Sequence, residues 1–383
     1  MSLVGLRPTT SRAGQAHGGG RARAGRANSL LRAGDAVLGP ALLRLIGRLR
    51  GSRPRPSRPQ RIGVMKTTGI GDMVLASAVA RDLQDAFPHA TLVLFAGPGN
   101  AGVAALVERA TVVTLPTARP WRAIPLIRAA QVDVLLDLGQ WTRLEALYAA
   151  LSRARWTVGF RTPGFDRHFA YDASVLHSDQ ISELENFRAL AREAGATSHA
   201  RPVFRARDVI VAPPAPGPYV VFHLWPGGFR SELREGPASA WRELADRVRA
   251  AGYGVVLTGG PDDVERTRQF VDSCAAPDVV SIAGRYSFSE LVGVLAAARC
   301  VVSVNTGLMH LAAAAGAPTI ALNGPTSELR WGPVGDRVVS INSSLPGCGF
   351  LHLGFEYEGH RIDCMSGIDV ERVAEATLRE AHA

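Results

Sequence analysis

The sequence predicts two doubly wound α/β halves of similar size, facing each other across a cleft. Strand and helix patterns alternate from residue 61 onward, and the alternation restarts after a Pro-rich stretch, PAPGP, at 214–218. Strands that alternate with helices build parallel sheets covered on both faces. In front of both halves stands a basic, low-complexity extension, residues 1–60.

The first half opens with a short apolar strand, RIGVM (61–65), followed by helical spacing over 72–86. TLVLFAG (91–97) and VDVLLDLG (132–139) are further strands, with a helical stretch at 121–130 between them. Residues 160–182 are loop-rich, and a helix is predicted at 183–195. The second half has strands at 219–224, 253–260, 279–282, 300–305 and 318–324. Helices are predicted between them at 238–251, 262–274, 287–298 and 307–315. The predicted units are an extension (1–60), a first domain (61–205), a second domain (206–365) and a terminal segment (366–383).

The 383 residues are 46% hydrophobic and 20% charged, a globular composition. Residues 1–60 hold twelve arginines and one acid, a net +11; the rest hold 31 basic and 33 acidic residues, a net −2. The high pI belongs to the extension, and the near-neutral body argues against nucleic acid as a partner. Cys274, Cys300, Cys348 and Cys364 are too few and scattered for a disulfide scaffold and point to a reducing compartment.

Residues 1–28 are Gly, Arg, Ala and Ser with little to bury, and read as disordered. In 36–50, Leu38, Leu42, Leu45, Ile46 and Leu49 recur at helical spacing, with Arg44, Arg48 and Arg50 on other faces. A basic amphipathic helix of this kind lies on an anionic membrane, or packs on the protein's own surface. SRPRPSRPQ (52–60) reads as a linker. Arginines interrupt every apolar run of the extension, so no secretion signal is expected, and no run is long enough for a spanning helix.

Four loops carry chemistry. VMKTTGIGDMVLASAV (64–79) runs from strand into helix and contains Lys66, the single lysine of the chain. Thr67, Thr68, Gly69 and Gly71 lead to Asp72, which is either a reactive acid or only a helix cap. In VNTGLMHLAAAAGAPTIALNGPT, Asn305, Thr306 and Gly307 open a helix whose free N–H groups suit phosphate oxygens, with His310 one turn in. FHLWPGGFRSELREGPASAW (222–241) brings His223, Gly227, Gly228 and Arg234. LTGGPDD (257–263) offers an acid for ribose hydroxyls. In the C-terminal loop, Cys348-x3-His352 and His360-x3-Cys364 have a spacing that fits zinc, the alternative being burial of thiols and loop histidines. No G-x-G-x-x-G follows the first strand of either half, which argues against an NAD-type oxidoreductase.

KTTGIGDMVLASAVARDLQDAFPHA, VNTGLMHLAAAAGAPTIALNGPT with RWGP, and DCMSGIDVERV together resemble glycosyltransferase family 9, the ADP-heptose:lipopolysaccharide heptosyltransferases and their relatives. The resemblance covers about residues 61–375. It implies a GT-B fold and inverting, metal-independent transfer from a nucleotide-sugar, usually ADP-heptose, with no cofactor. The acceptor would be a lipid-linked or lipopolysaccharide-type glycan, at the inner face of the cytoplasmic membrane; the peripheral contact through residues 36–50 is read from their own pattern, outside the resemblance. It also implies that a C-terminal helix crosses back onto the first domain. The family's base matches Asp72, its leaving-group lysine falls on Arg234, and its ribose acid falls on Asp263, less well on Asp262. Lys66 matches a position that is basic in many relatives, near the loop or the acceptor. Asn305 replaces a frequent Asp, so the donor is the open question: the rivals are a UDP- or GDP-sugar transferase and a nucleotide-binding protein without transfer activity.

Overall fold

The computed structural model describes residues 38–197, 199–205, 211–228, 230–354, 356–357, 359 and 362–383. A helix at 38–50, α1, comes first. The first sheet is built from β1 (Arg61–Lys66), β2 (Thr91–Ala96), β3 (Ala110–Thr114), β4 (Val134–Asp137), β5 (Trp156–Arg161) and β6 (Ala173–Leu176). Its helices are α2 (Ile70–Ala86), α3 (Ala101–Ala104), α4 (Pro120–Ala129), α5 (Arg143–Leu151) and α6 (Glu183–Glu193). The second sheet has β7 (Tyr219–His223), β8 (Gly254–Leu257), β9 (Val279–Ser281), β10 (Cys300–Val304), β11 (Thr319–Asn323) and β12 (Val338–Asn342). Around it lie α7 (Ala238–Ala250), α8 (Val264–Cys274), α9 (Phe288–Ala296), α10 (Gly307–Ala314), α11 (Glu328–Trp331) and α12 (Val370–His382).

The strand orders are β3-β2-β1-β4-β5-β6 and β12-β11-β10-β7-β8-β9, every pairing parallel. Central strands such as β4, β7 and β10 are buried on both faces, which is why they read as continuous apolar runs. The strands that sequence reading passes over are β3, β5, β6 and β12. β3, β6 and β12 are half-buried edge strands without that signature. β5 is buried but enters from Arg153-Ala154-Arg155, inside a stretch dense in arginine. α5 was also passed over.

Both orders reverse direction beside β1 and β7, so the loops at the carboxyl ends of these strands open toward one crevice. The halves are in firm contact. α2 packs along α10 and α3 along α9, and Met73, Val79, Leu308 and Leu311 belong to one shared apolar core. Two helix starts meet at this contact: a Cβ added to Gly307 would lie 2.5 Å from the Ile70 Cβ and 2.8 Å from the Gly71 nitrogen.

Two expectations are corrected. The C-terminal helix does not return to the first domain. α12 packs on α7, β10 and β11 through Val373, Ala374 and Ala376, and the Tyr253 hydroxyl donates to the Ala381 carbonyl at 3.3 Å. Its apolar stripe matches the uncovered face of the second sheet, where those residues find their nearest apolar partners.

From residue 38 on, the extension packs on the protein's own surface, one of the readings of its amphipathic pattern, and it is the separate linker at 52–60 that is corrected. Leu43 is buried with Ala146, Ala150 and Ala170, and Ile46 packs beside it. Arg50 donates to the carbonyls of Ala150 (2.9 Å) and Ala170 (3.2 Å). Arg53 forks onto the buried Asp172 at 2.8 Å and reaches the Ala154 carbonyl at 2.8 Å. The expected linker therefore lies against the body, and Arg55 also donates to the Glu193 carbonyl at 2.8 Å. Residues 1–37, which include the stretch expected to be disordered, lie outside the described residues. Among the described residues, no helix is long and apolar enough to cross a membrane.

This docking yields a prediction. A chain beginning at residue 38 keeps α1 and its contacts and serves as the reference. One beginning at residue 60 should lose at least about 2 kcal/mol, the burial of Leu43 alone. Equal melting temperatures for the two truncations would show that α1 contributes nothing to the domain.

Candidate active site

The loop after β1 is pinned from several sides. Gly69 precedes α2 with φ 82°, a left-handed conformation that suits glycine. Asn100 donates to the carbonyls of Lys66 (3.1 Å) and Gly69 (3.2 Å), and Thr67 bonds through its hydroxyl to Glu145. Thr68 and Gly69 are exposed at the rim, and Gly71 is pressed against His310. Asp72 sits in the first turn of α2, where no side chain caps the helix. It is therefore not the N-cap that its position permits.

Its carboxylate faces Lys66 instead. The Lys66 ammonium, 1% exposed, lies 3.0 Å from Asp72 Oδ2 and donates to Gln140 Oε1 at 2.6 Å. Burial pushes the Asp72 carboxyl above its ordinary value, against the pull of Lys66. Burial also opposes the Lys66 charge, but Asp72, Glu145 and Glu183 outweigh it, and its pKa is raised. The outcome is an ion pair with a carboxylate more basic than a surface aspartate.

From Lys66 a buried chain of polar groups leads into the second domain. Gln140 Nε2 donates to Glu183 Oε1 at 2.7 Å, and His177 Nε2 lies 3.0 Å from the other carboxylate oxygen. Glu183 is then paired with Arg330 of α11, whose guanidinium also donates to the Ile181 and His352 carbonyls. Burial works against the Glu183 charge, but His177, Arg330 and Gln140 hold its pKa below the ordinary value. Both side chains of the pair are fully buried. None of Gln140, Glu183, His177, Asn100 or Arg330 was singled out from sequence, although Arg330 stands in the RWGP segment.

On the second domain, the carboxyl ends of β7, β8 and β10 supply the predicted donor residues. Thr306 caps α10, accepting from the Leu308 N–H at 3.3 Å, and Gly307 abuts Gly71. Arg234 donates to the Gly227 carbonyl at 2.7 Å and lies 3.5 Å from the Asn305 carbonyl, so the Gly227-Gly228 loop and the 305–310 segment are joined. Burial pushes the Arg234 pKa down. His310 is buried at the domain contact, and burial pushes its pKa down to about 4, so it is neutral near pH 7. His223 is likewise pushed down to about 4, chiefly by burial, and bonds to the Thr258 hydroxyl at 2.9 Å.

Two predicted residues have other engagements. Asn305 donates its amide to Asn323 (2.8 Å) and the Trp331 carbonyl (3.1 Å), which ties the β10 and β11 ends together. Asp263 accepts from the Gly260 N–H at 2.8 Å and from Arg266 Nε at 2.9 Å, closing its own loop. Arg266 in turn stacks over Trp225, its guanidinium carbon 4.4 Å from the ring centroid, and donates to Glu235 at 2.8 Å. The zinc reading is corrected: Cys348 and Cys364 are joined in a disulfide, so neither is a thiolate ligand, and His360 lies outside the described residues. The bridge also overturns the alternative reading of two buried thiols at these positions; Cys274 and Cys300 are free.

A family model described as glycosyltransferase family 9 (heptosyltransferase) matches residues 186–348. Lipopolysaccharide heptosyltransferase 1 of Escherichia coli K12 is 26% identical over 70% of this chain and 88% of its own length. Two others match over shorter stretches: lipopolysaccharide heptosyltransferase 3 of Escherichia coli (34% identical, 26% of this chain) and lipopolysaccharide heptosyltransferase 1 of Pseudomonas aeruginosa (37%, 34% of this chain). Each of those matches spans about a third of the relative, 29% and 35%. Among solved structures, E. coli ADP-heptose lps heptosyltransferase II superposes with a TM-score of 0.70 at 20% identity, over 84% of this chain and 98% of its own. An E. coli heptosyltransferase solved with ADP gives 0.65 at 21% identity, over 84% and 99%. The two facing parallel-sheet domains are the GT-B fold that these structures share.

The site carries two predictions. Arg330→Met strands a buried carboxylate and should cost about 3–5 kcal/mol, most of it regained in Arg330→Met/Glu183→Gln; denaturant unfolding decides, and additive losses would mean that the pair does not couple. His310 stays neutral in the folded chain until about pH 4, while in the unfolded chain it takes a proton below its ordinary value of 6.5. It therefore removes stability as pH falls through that window. Between pH 7 and pH 5, melting temperatures should shift in favour of His310→Gln relative to the native chain; a constant gap would contradict the neutral buried ring.

Proposed function

We propose that this chain, a member of glycosyltransferase family 9, transfers a sugar with inversion, heptose from ADP-heptose, to a lipopolysaccharide-type acceptor. The observation that carries the reading is the meeting of two helix starts, Gly71 of α2 against Gly307 of α10, with Asp72 beside one and Arg234 beside the other. Both helix starts present N–H groups and positive dipole ends to the same crevice, which suits a diphosphate. The names of the curated relatives and of the structure solved with ADP favour an ADP-linked heptose.

In this mechanism an acceptor hydroxyl attacks the anomeric carbon from the face opposite the diphosphate. Asp72 takes the hydroxyl proton as the new C–O bond forms and the bond to the diphosphate oxygen breaks. Its raised basicity, set by burial and trimmed by Lys66, fits that role near neutral pH. The leaving ADP carries away the bonding electrons, and the Thr306-Gly307 backbone, the Gly227-Gly228 loop and Arg234 stabilise its charge without a metal. His223 and His310, neutral in the fold, would serve as hydrogen-bond donors there rather than as cations. Thr67, Thr68, Gly69 and Gly71 shape the acceptor side, and Asp263 reaches ribose only by giving up part of its loop contacts. A lipid-linked acceptor puts the enzyme at the inner face of the cytoplasmic membrane, with the N-terminal helix as its peripheral contact.

Calorimetry with ADP, UDP and GDP tests the donor, and ADP should bind most tightly. Preference for UDP or GDP would discard the heptose donor. Asp72→Asn should keep ADP affinity and lose about 10²–10⁴ in transfer rate. In Lys66→Met the acidic limb of the pH–rate profile should move to higher pH, because the charge that lowers the Asp72 pKa is gone. Nucleotide binding with no dependence of turnover on Asp72 would leave a binding protein without transfer activity.

A further inference from the structure

We infer that the outward face of α1 is a docking surface for an anionic lipid bilayer, held at a fixed attitude by the face that α1 turns to the first domain. The inference rests on the reading of a lipid-linked acceptor. Helical geometry divides the helix cleanly. Leu43, Ile46 and Gly47 face α5 and the 3₁₀ turn at Arg167–Ala170. Leu38, Leu42, Leu45 and Leu49 follow one another at steps of four, three and four residues, which keeps them in a second stripe. They are 69%, 42%, 54% and 78% exposed. Four leucines in one exposed row are unlike the scattered apolar residues of an ordinary surface.

The occupant is indicated by charge. Residues 1–37 hold six arginines and one acid, a net +5, and they end where the leucine row begins. Arg48, exposed, borders the row on the helix itself, and Arg44, also exposed, lies farther round the helix and is paired with Asp166. A basic border around an apolar stripe fits an interfacial helix on anionic headgroups. Another copy of this basic surface would meet it with like charge. On the same side of the first sheet, α4 packs against α5 and exposes Trp121 and Leu126. Tryptophan favours the headgroup level of a bilayer. This side is opposite α2 and α3, the helices that contact the second domain.

The attitude is fixed because α1 is clamped. Arg50 and Arg53 converge on Asp172, and Arg44 pairs with Asp166 at 3.0 Å. A bound bilayer would thus hold the first domain in one orientation rather than on a loose tether.

The test uses the full chain and vesicles of phosphatidylcholine, with and without phosphatidylglycerol, in co-sedimentation. The chain should sediment with the anionic vesicles, less so at high salt. Leu45→Glu/Leu49→Glu should weaken that binding by on the order of tenfold or more. Both positions are exposed, so the melting temperature should not move. Unchanged binding by the double variant would leave only adsorption of residues 1–37 and overturn the leucine surface. Absence of binding by the native chain would overturn it too. A dimer in light scattering that the double variant dissociates would assign the row to a second copy instead. The vesicles contain neither nucleotide nor acceptor, so the result is independent of ADP affinity and of turnover.

Discussion

Asp72 and Lys66 form an ion pair in which the amine is buried and the carboxylate keeps a small exposed edge, and neither charge is left alone by the groups around the crevice. A carboxylate out of water needs compensation, and here it comes in relay: Lys66, Gln140, Glu183, then His177 and Arg330. The last member belongs to the other domain. The electrostatics of the first domain's reactive loop are therefore complete only while α11 stays against α6. Broken pairs in such a medium are costly, so the relay binds the domains together as firmly as it orders the loop.

The apolar contact between α2 and α10 works toward the same end by shape. Gly71 and Gly307 let two helix starts approach to backbone distance, and both starts carry unsatisfied N–H groups. Like dipole ends brought together favour an anion between or beside them. The geometry of a parallel sheet supplies the rest, since every loop in question leaves the carboxyl end of a strand.

Much of this was legible in the residues. Runs such as TLVLFA, CVVSV and TIALN are buried on nearly every side and declare themselves as strands by their continuity. The edge strands do not, because half-burial leaves no apolar run to read. Loop chemistry was legible where glycine and a charged residue adjoin a strand end, as at Gly71-Asp72 and Thr306-Gly307. The relay was not, because Gln140, Glu183 and Arg330 lie 74, 117 and 264 positions beyond Lys66 and have no local signature. The docking of α1 depends on a similar long-range partner, Asp172, and the Cys348–Cys364 bridge on a turn that closes 16 positions of chain against the 3₁₀ turn at Cys364–Gly367.

Lys66 is the single lysine, and its amine is enclosed between Asp72 and Gln140. The folded surface is consequently blank to every reagent and enzyme that needs a lysine side chain. Acylating tags, imine-forming fixatives and amine-directed modification find no lysine side chain on it while the crevice is shut, and are left with the α-amine. Basic character at this surface is all guanidinium, which stays charged under any condition the fold survives. Acylation at Lys66 would mark a molecule whose relay had come apart, so a general protein-labelling chemistry becomes a reporter of this one crevice.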